Sequence, residues 1–156
     1  MKTVKGDLIK MALDGQFDVI VHGCNCFCTM GSGVARQIRE KFPEAYQADK
    51  NTARGDYGKL GAITSARIEA NDLTVVNAYT QFRYGAEKMH VDYKAVRECF
   101  KKIAKQFKGK KIAFPAIGCG LAGGDWNIVS KIIDEELAGE DYVFVEYSNE
   151  PLVELV

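Results

Sequence analysis

The sequence predicts an α/β domain whose sheet is mostly parallel and covered by helices on both faces. Short apolar runs of strand length alternate with amphipathic segments of helical period along the chain, the pattern of strands joined by helical crossovers. Two glycine-rich turns, Met30-Gly31-Ser32-Gly33 and Gly118 to Asp125 (GCGLAGGD), each follow an apolar run and lead into a helical pattern. The 156 residues hold no internal repeat, low-complexity tract or linker-like stretch, so they read as one domain, 1–156.

Each element has its own signal. Thr3 and Val4 open a short strand that Lys5-Gly6-Asp7 closes, and Leu8 to Leu13 make one or two helical turns before Asp14-Gly15. Val19, Ile20 and Val21 form a buried strand. A helix follows the first glycine turn, with Val34, Ile38 and Phe42 at four-residue spacing, and stops near Phe42-Pro43. Glu44 to Lys50 continue as a short helix, followed by a polar loop through Arg54, Gly55 and Asp56. Ile63 to Ile68 and Leu73 to Val76 read as two strands, with Glu69-Ala70-Asn71-Asp72 as a hairpin connection. Asn77 to His90 is aromatic and polar without a period and reads as loop. Tyr93 to Phe107 is a helix with Val96, Cys99, Phe100, Ile103 and Phe107 on one face. Lys110 to Ile117 is a strand, Trp126 to Leu137 a helix presenting Val129, Ile132, Ile133 and Leu137, and Asp141 to Tyr147 the last strand.

Composition narrows the function classes. Basic and acidic residues balance at 21 each, which offers no bulk attraction to long nucleic acid or to an anionic membrane. No apolar run approaches the roughly 20 residues of a membrane span, and the start, MKTVKGDL, lacks a signal-peptide core, so the expected setting is cytoplasmic. Of the five cysteines, Cys24, Cys26 and Cys28 alternate, without the paired C-x2-4-C spacing of a structural zinc site. They are expected to be reduced thiols that bind no metal, and Cys99 to be core.

The two glycine turns carry the chemistry. A strand, a glycine-rich turn and a helix start bring backbone N–H groups close to an anion. Two such loops suggest a ligand with more than one phosphate, or with a phosphate and a sugar. Neither loop is a Rossmann fingerprint or a Walker loop, because the glycine spacing and the Gly-Lys-Ser/Thr element are missing. In open α/β sheets the ligand sits beyond the C-terminal ends of the strands, where both loops begin.

Taken together, VKGD near the start, VHGCNC…GSGVA after the next strand and FPAIGCGLAGGDW after a late strand resemble the macro domain family. The similarity runs in order over nearly the whole chain. It points to the compact subgroup with yeast and phage-type ADP-ribose-1''-phosphate phosphatases and terminal ADP-ribose glycohydrolase-like members. The resemblance implies a three-layer α/β/α fold with a mixed, mostly parallel sheet, ADP-ribose as ligand, and no cofactor. It further implies that Asp7, with Leu8 beside it, meets the adenine, that Asn25 binds the distal ribose, and that Gly31, Ser32, Gly33 and Val34 line one side of the diphosphate. Gly118, Cys119, Gly120, Leu121 and Ala122 would line the other side, and Tyr147 would sit near the adenine. Two departures stand out. Relatives that deacylate glutamate use a lysine where this chain has Thr80 or Gln81, and an aspartate where it has Ala122. The phosphatase-like members carry a histidine at the end of the second strand, matched by His22.

Simpler roles compete with each of these. Asp7 and Asp125 both precede helices and suit N-caps. Asn25 sits in a turn, where asparagine bonds its own backbone. His22 ends a buried strand, His90 lies in a loop, and Tyr79, Phe82 or Tyr84 could replace Tyr147 at the adenine. The functional expectation is a phosphatase acting on ADP-ribose-1''-phosphate, with His22 assisting proton transfer, Asn25 orienting the ribose and Asp125 holding the attacking water. The alternatives are a non-catalytic ADP-ribose reader, a hydrolase acting on protein or nucleic-acid adducts without the lysine, and a nucleotide-phosphate or RNA-end protein of the same fold.

Overall fold

The computed structural model describes residues 1–85, 90–120 and 122–148. Its elements run β1 (Thr3–Gly6), α1 (Leu8–Leu13), β2 (Val19–Cys24), α2 (Gly33–Lys41), α3 (Pro43–Lys50), β3 (Ile63–Ile68), β4 (Leu73–Tyr79), α4 (Tyr93–Gln106), β5 (Ile112–Phe114), α5 (Trp126–Glu136) and β6 (Tyr142–Tyr147). The six strands form one sheet in the order β1-β6-β5-β2-β4-β3. Only β3 runs antiparallel, against β4; the other pairs are parallel. The architecture is therefore three-layered, α/β/α, with a mixed and mostly parallel sheet.

The apolar runs are nearly continuous because the central strands bury both faces. Val19 and Val21, Val76 and Ala78, and Ile112 and Phe114 join the core under α4 and α5. Ile20, Val75 and Ala113 point the other way, into the core with α1 and α2, where Ile38, Phe42 and Ala45 also pack. The Val34-Ile38-Phe42 stripe lands as its spacing requires, with Ile38 and Phe42 buried and Val34 half-buried against the same core. On the opposite layer, Val96, Cys99, Phe100 and Ile103 of α4 meet Val129, Ile132 and Ile133 of α5.

Two segments differ from the sequence-based expectation. Residues 77–79 belong to β4, because Asn77, Ala78 and Tyr79 continue its ladder with β2 opposite His22, Gly23 and Cys24. Their polar and aromatic side chains hid the strand. The late strand is only Ile112–Phe114: Pro115 has no N–H to donate, so pairing stops there and residues 115–117 turn toward the strand ends. The β3–β4 connection is the expected hairpin, with Ile68 opposite Leu73 in an antiparallel pair, and its turn is a short 3-10 turn closed by Asp72 in the left-handed region, φ 48° and ψ 48°. Among the described residues no helix is long and apolar enough to cross a membrane.

Topology selects the location of the site. The chain leaves β2 toward β4 on one side and later returns through α4 to β5 on the other. The loops after β2 and β5 therefore diverge over the same crevice, the position where open α/β sheets bind ligands.

Candidate functional site

A cleft of about 1050 Å³ opens at that crevice. One wall is the loop after β2, from Asn25 through Gly31 to the start of α2. The other is the loop after β5, from Pro115 through Gly120, and the end of β6 closes one side with Glu146 and Tyr147.

The α2 wall presents backbone donors. Ser32 is its N-cap residue but makes no side-chain capping bond. The first helical N–H groups have no intrahelical acceptors by geometry, and they lie at the cleft, which Ser32, Gly33, Val34 and Ala35 all line. Gly33 adopts φ +58°, a conformation that disfavours a side chain. The facing loop is shaped differently. Gly118 has φ +73°, and a Cβ there would come within 2.4 Å of Val91. Its carbonyl accepts from Gly124 N–H at 2.8 Å, and the carbonyl of Ala122 accepts from His90 and Val91. The loop is thus tied to the segment before α4. Gly120, by contrast, meets nothing within 4 Å, which leaves open space beside its backbone.

The floor is His22, which is buried. Its Nε2 lies 2.6 Å from Asn77 Oδ1. Asn77 donates through Nδ2 to the Ala45 carbonyl and to Thr64 Oγ1, each at 3.0 Å, which fixes the amide so that Oδ1 faces the imidazole. An acceptor there requires the proton on Nε2. Burial drives the His22 pKa from 6.5 down to about 4, only partly opposed by the Asn77 bond. At neutral pH it is a neutral, held ring.

Other predicted residues fall as follows. Asn25 lines the cleft while its Oδ1 accepts from Phe27 N–H at 2.8 Å and its Nδ2 donates to Thr29 at 2.6 Å, so the turn uses both ends of its amide. Gly31, Ser32, Gly33, Val34, Gly118, Cys119, Gly120, Ala122 and Tyr147 line the cleft together. Leu121 lies outside the described residues. Asp7 is not among the lining residues: its Oδ1 caps α1, accepting from Ile9 and Lys10. It follows Gly6, which pairs with Tyr147, and so stands beside the β6 end of the cleft. Leu8 buries its side chain in the core under α1. Asp125 caps α5, accepting from Asn127 N–H at 2.8 Å, and does not line the cleft. Of the two candidates at the missing lysine, Gln81 lines the cleft, whereas Thr80 is buried behind Gly23. Tyr84 lines it too; Tyr79 and Phe82 do not.

The three clustered cysteines look to separate partners. Cys24 Sγ is 3.5 Å from His22 Nε2, Cys26 donates to the Gln81 carbonyl, and Cys28 donates to the Asp49 carbonyl at 3.2 Å. Burial pushes the Cys26 and Cys119 thiols up to about 11, so neither is a ready thiolate near neutral pH. Cys99 packs in the α4 core.

One lining residue had no signal in the sequence. Asp49, in the last turn of α3, is 1 % exposed yet lines the cleft beneath the loop after β2. Its neighbours in the chain, Gln47, Lys50 and Asn51, read as an ordinary helix end.

The family profile described as Macro domain matches residues 21–133. A phage T4 protein, an uncharacterized 17.5 kDa product of the tk-vs intergenic region, is 35% identical, covering 98% of this chain and 99% of its own. The ADP-ribose 1''-phosphate phosphatase of Candida albicans is 27% identical, with 85% of this chain and 90% of the yeast protein covered. The DNA ADP-ribosyl glycohydrolase of Mycobacterium tuberculosis is 24% identical over 81% of this chain, which spans only 35% of that larger protein. A solved structure from Bacteroides thetaiotaomicron, of unknown function, superposes with a TM-score of 0.73 at 31% identity, covering 94% of this chain and 97% of that one.

Proposed function

This chain belongs to the macro domain family, and from that premise we propose that its cleft binds ADP-ribose and that it hydrolyses the bond joining a substituent to C1'' of the distal ribose. The observation that carries the reading is the pair of facing loops after β2 and β5, with open space at Gly120 and an uncapped helix start at Ser32. Together they suit a diphosphate held by backbone N–H groups from both sides. The adenine then falls at Tyr147, with Asp7 Oδ2 available to its amino group because only Oδ1 serves the helix cap. The distal ribose falls at Asn25, and its C1'' substituent faces Gln81 and the exposed Tyr84 at the outer rim.

The substrate we favour is a macromolecular adduct, nucleic acid or protein, cleaved without a lysine nucleophile. Thr80 or Gln81 stands where glutamate-deacylating relatives have the lysine, and Ala122 where they have the aspartate, and the exposed rim leaves room for a bulky substituent. His22 has its pKa held down at about 4 by burial, and Asp125 caps α5 outside the cleft lining, so neither suits proton transfer at C1''. The small-molecule reading, release of phosphate from ADP-ribose-1''-phosphate, is favoured by the likeness to the yeast phosphatase over most of its length.

The test is turnover by the purified chain on three substrates in parallel: an ADP-ribosylated single-stranded DNA oligonucleotide, a protein carrying ADP-ribosyl glutamate esters, and ADP-ribose-1''-phosphate. We expect release of ADP-ribose from at least one adduct, faster than phosphate release. Phosphate release alone returns the assignment to the phosphatase. ADP-ribose binding by calorimetry with no turnover on any of the three makes the protein a reader.

A further inference from the structure

Asp49 sits at one end of a directed chain of hydrogen bonds whose other end is His22, and both ends line the cleft. The directions follow from the partners. Ala45 can only accept, so Asn77 Nδ2 faces it and Thr64, while Asn77 Oδ1 takes the His22 Nε2–H. Thr64 Oγ1 accepts from Asn77 at 3.0 Å and so turns its own proton toward Tyr79 Oη, 3.2 Å away. Tyr79 in turn donates to Asp49 Oδ1 at 2.8 Å. Every member donates toward Asp49, which is the arrangement an ionised carboxylate stabilises. Oδ2 has no hydrogen-bond partner among the described residues.

The other cleft-lining groups that can ionise are poorly placed to take a proton near the distal ribose. Burial holds the His22 pKa down at about 4, the Cys24 and Cys119 thiols are held protonated by burial, and Glu146 and Tyr147 lie at the β6 end. Tyr84 is a phenol at the outer rim. Asp49 is the carboxylate on the Asn25 side of the cleft.

We propose that Asp49 is the general base of the hydrolytic step, its Oδ2 taking the proton of the water that attacks C1''. The inference rests on the reading of the cleft as an ADP-ribose site that hydrolyses a C1'' substituent. The water oxygen bonds to C1'', and the bond from C1'' to the substituent breaks with its electron pair left on the substituent. The water's proton passes to Asp49, which returns it to the departing group. The products are ADP-ribose and the protonated substituent.

The groups facing Asp49 set its titration. Burial raises its pKa, while the Tyr79 bond and the Lys59 ammonium lower it, with burial the largest influence. Cys24 also faces it from β2. Cys28 faces it from the following loop and donates to its backbone carbonyl. Lys59 does not neutralise it directly, since its Nζ donates to the Cys26 carbonyl at 3.0 Å and to Cys28 Sγ at 3.5 Å. A carboxylate kept basic in a cleft is the usual form of a general base.

The experiment uses the full chain, an ADP-ribosylated single-stranded oligonucleotide and ADP-ribose-1''-phosphate as probes, and kcat and KM from pH 4.5 to 8. D49N should lower kcat by about 10²–10⁴, the usual contribution of a positioned base, while ADP-ribose affinity by calorimetry stays within about threefold. Y79F removes the donor that favours the ionised form, so the acid limb of kcat should move to higher pH. A carboxylate that merely anchored Tyr79 would leave that limb where it was. D49N with wild-type kcat, or an unmoved limb in Y79F, overturns the proposal; if D49N fails to fold, Y79F decides alone. Wild type that binds ADP-ribose but turns over neither these probes nor a protein carrying ADP-ribosyl glutamate esters overturns the hydrolase reading, and this proposal with it.

Discussion

At the scale of single residues, two glycines of one loop make opposite predictions. Gly120 has open space beside it and no positive φ, so Gly120→Val should fold normally and lose ADP-ribose affinity, because its side chain would occupy the ligand's volume. Gly118→Ala should instead cost stability, roughly 1–3 kcal/mol, because the new Cβ meets Val91 at 2.4 Å on a φ of +73°. Thermal melts alongside calorimetry separate the two. His22 makes a pH prediction. Its folded pKa lies below the unfolded value, so as pH falls the unfolded chain takes the proton first. The stability from keeping the ring neutral is complete above pH 6.5 and is lost toward pH 4, about 3 kcal/mol in all. Urea denaturation of wild type at pH 7 and 4.5 should show that loss, and His22→Gln should lack it. Nitrogen-15 NMR should find the Nε2–H tautomer persisting below pH 5.

At the scale of elements, the α1 cap and the cleft edge meet in one side chain. Asp7 Oδ1 holds the first turn of α1, and Oδ2 is the atom proposed for the adenine amino group. Asparagine caps about as well as aspartate, so Asp7→Asn should leave the melting temperature unchanged. It should weaken ADP-ribose, by about tenfold for a lost charge-assisted bond, and leave ribose-5-phosphate binding alone. Equal loss for both ligands would place Asp7 elsewhere than the adenine. β4 shows how elements share their polar work. Asn77 is wholly buried in the strand, yet it joins β2 through His22, α3 through Ala45 and β3 through Thr64. A residue read from sequence as loop is therefore a cross-link of three elements.

At the scale of the whole molecule, the two cores lie on opposite faces of one sheet and share its central strands. Neither can lose its packing without exposing the other, so urea unfolding should be a single transition with coincident fluorescence and circular dichroism. Because the site bridges the loops after β2 and β5, ADP-ribose should stabilise the whole fold. At a hundred times its Kd the gain is about 2.7 kcal/mol, measurable as a rise in Tm that Gly120→Val should abolish. A gain confined to one of two separate transitions would mean that the halves unfold independently.

Most of the fold was legible in the chain, because strand and helix periods and glycine loops are local properties set by side-chain spacing and backbone sterics. The two glycine-rich loops are of this kind: each is a few adjacent residues, and Gly31 to Val34 and Gly118 to Gly120 do line one cleft. What local pattern could not carry was partnership across the fold. Nothing in Asn77, Thr64 and Tyr79 as letters says that they form one hydrogen-bonded line, since they lie on two strands whose register decides it. The same holds for His22, whose neutral state is a consequence of burial against Asn77, 55 residues away. It holds most of all for Asp49, an unremarked aspartate at a helix end that packing turns into a buried carboxylate facing the cleft. Sequence alone determined where backbone N–H groups could gather; tertiary packing decided which side chains lost their water, and hence which can move a proton.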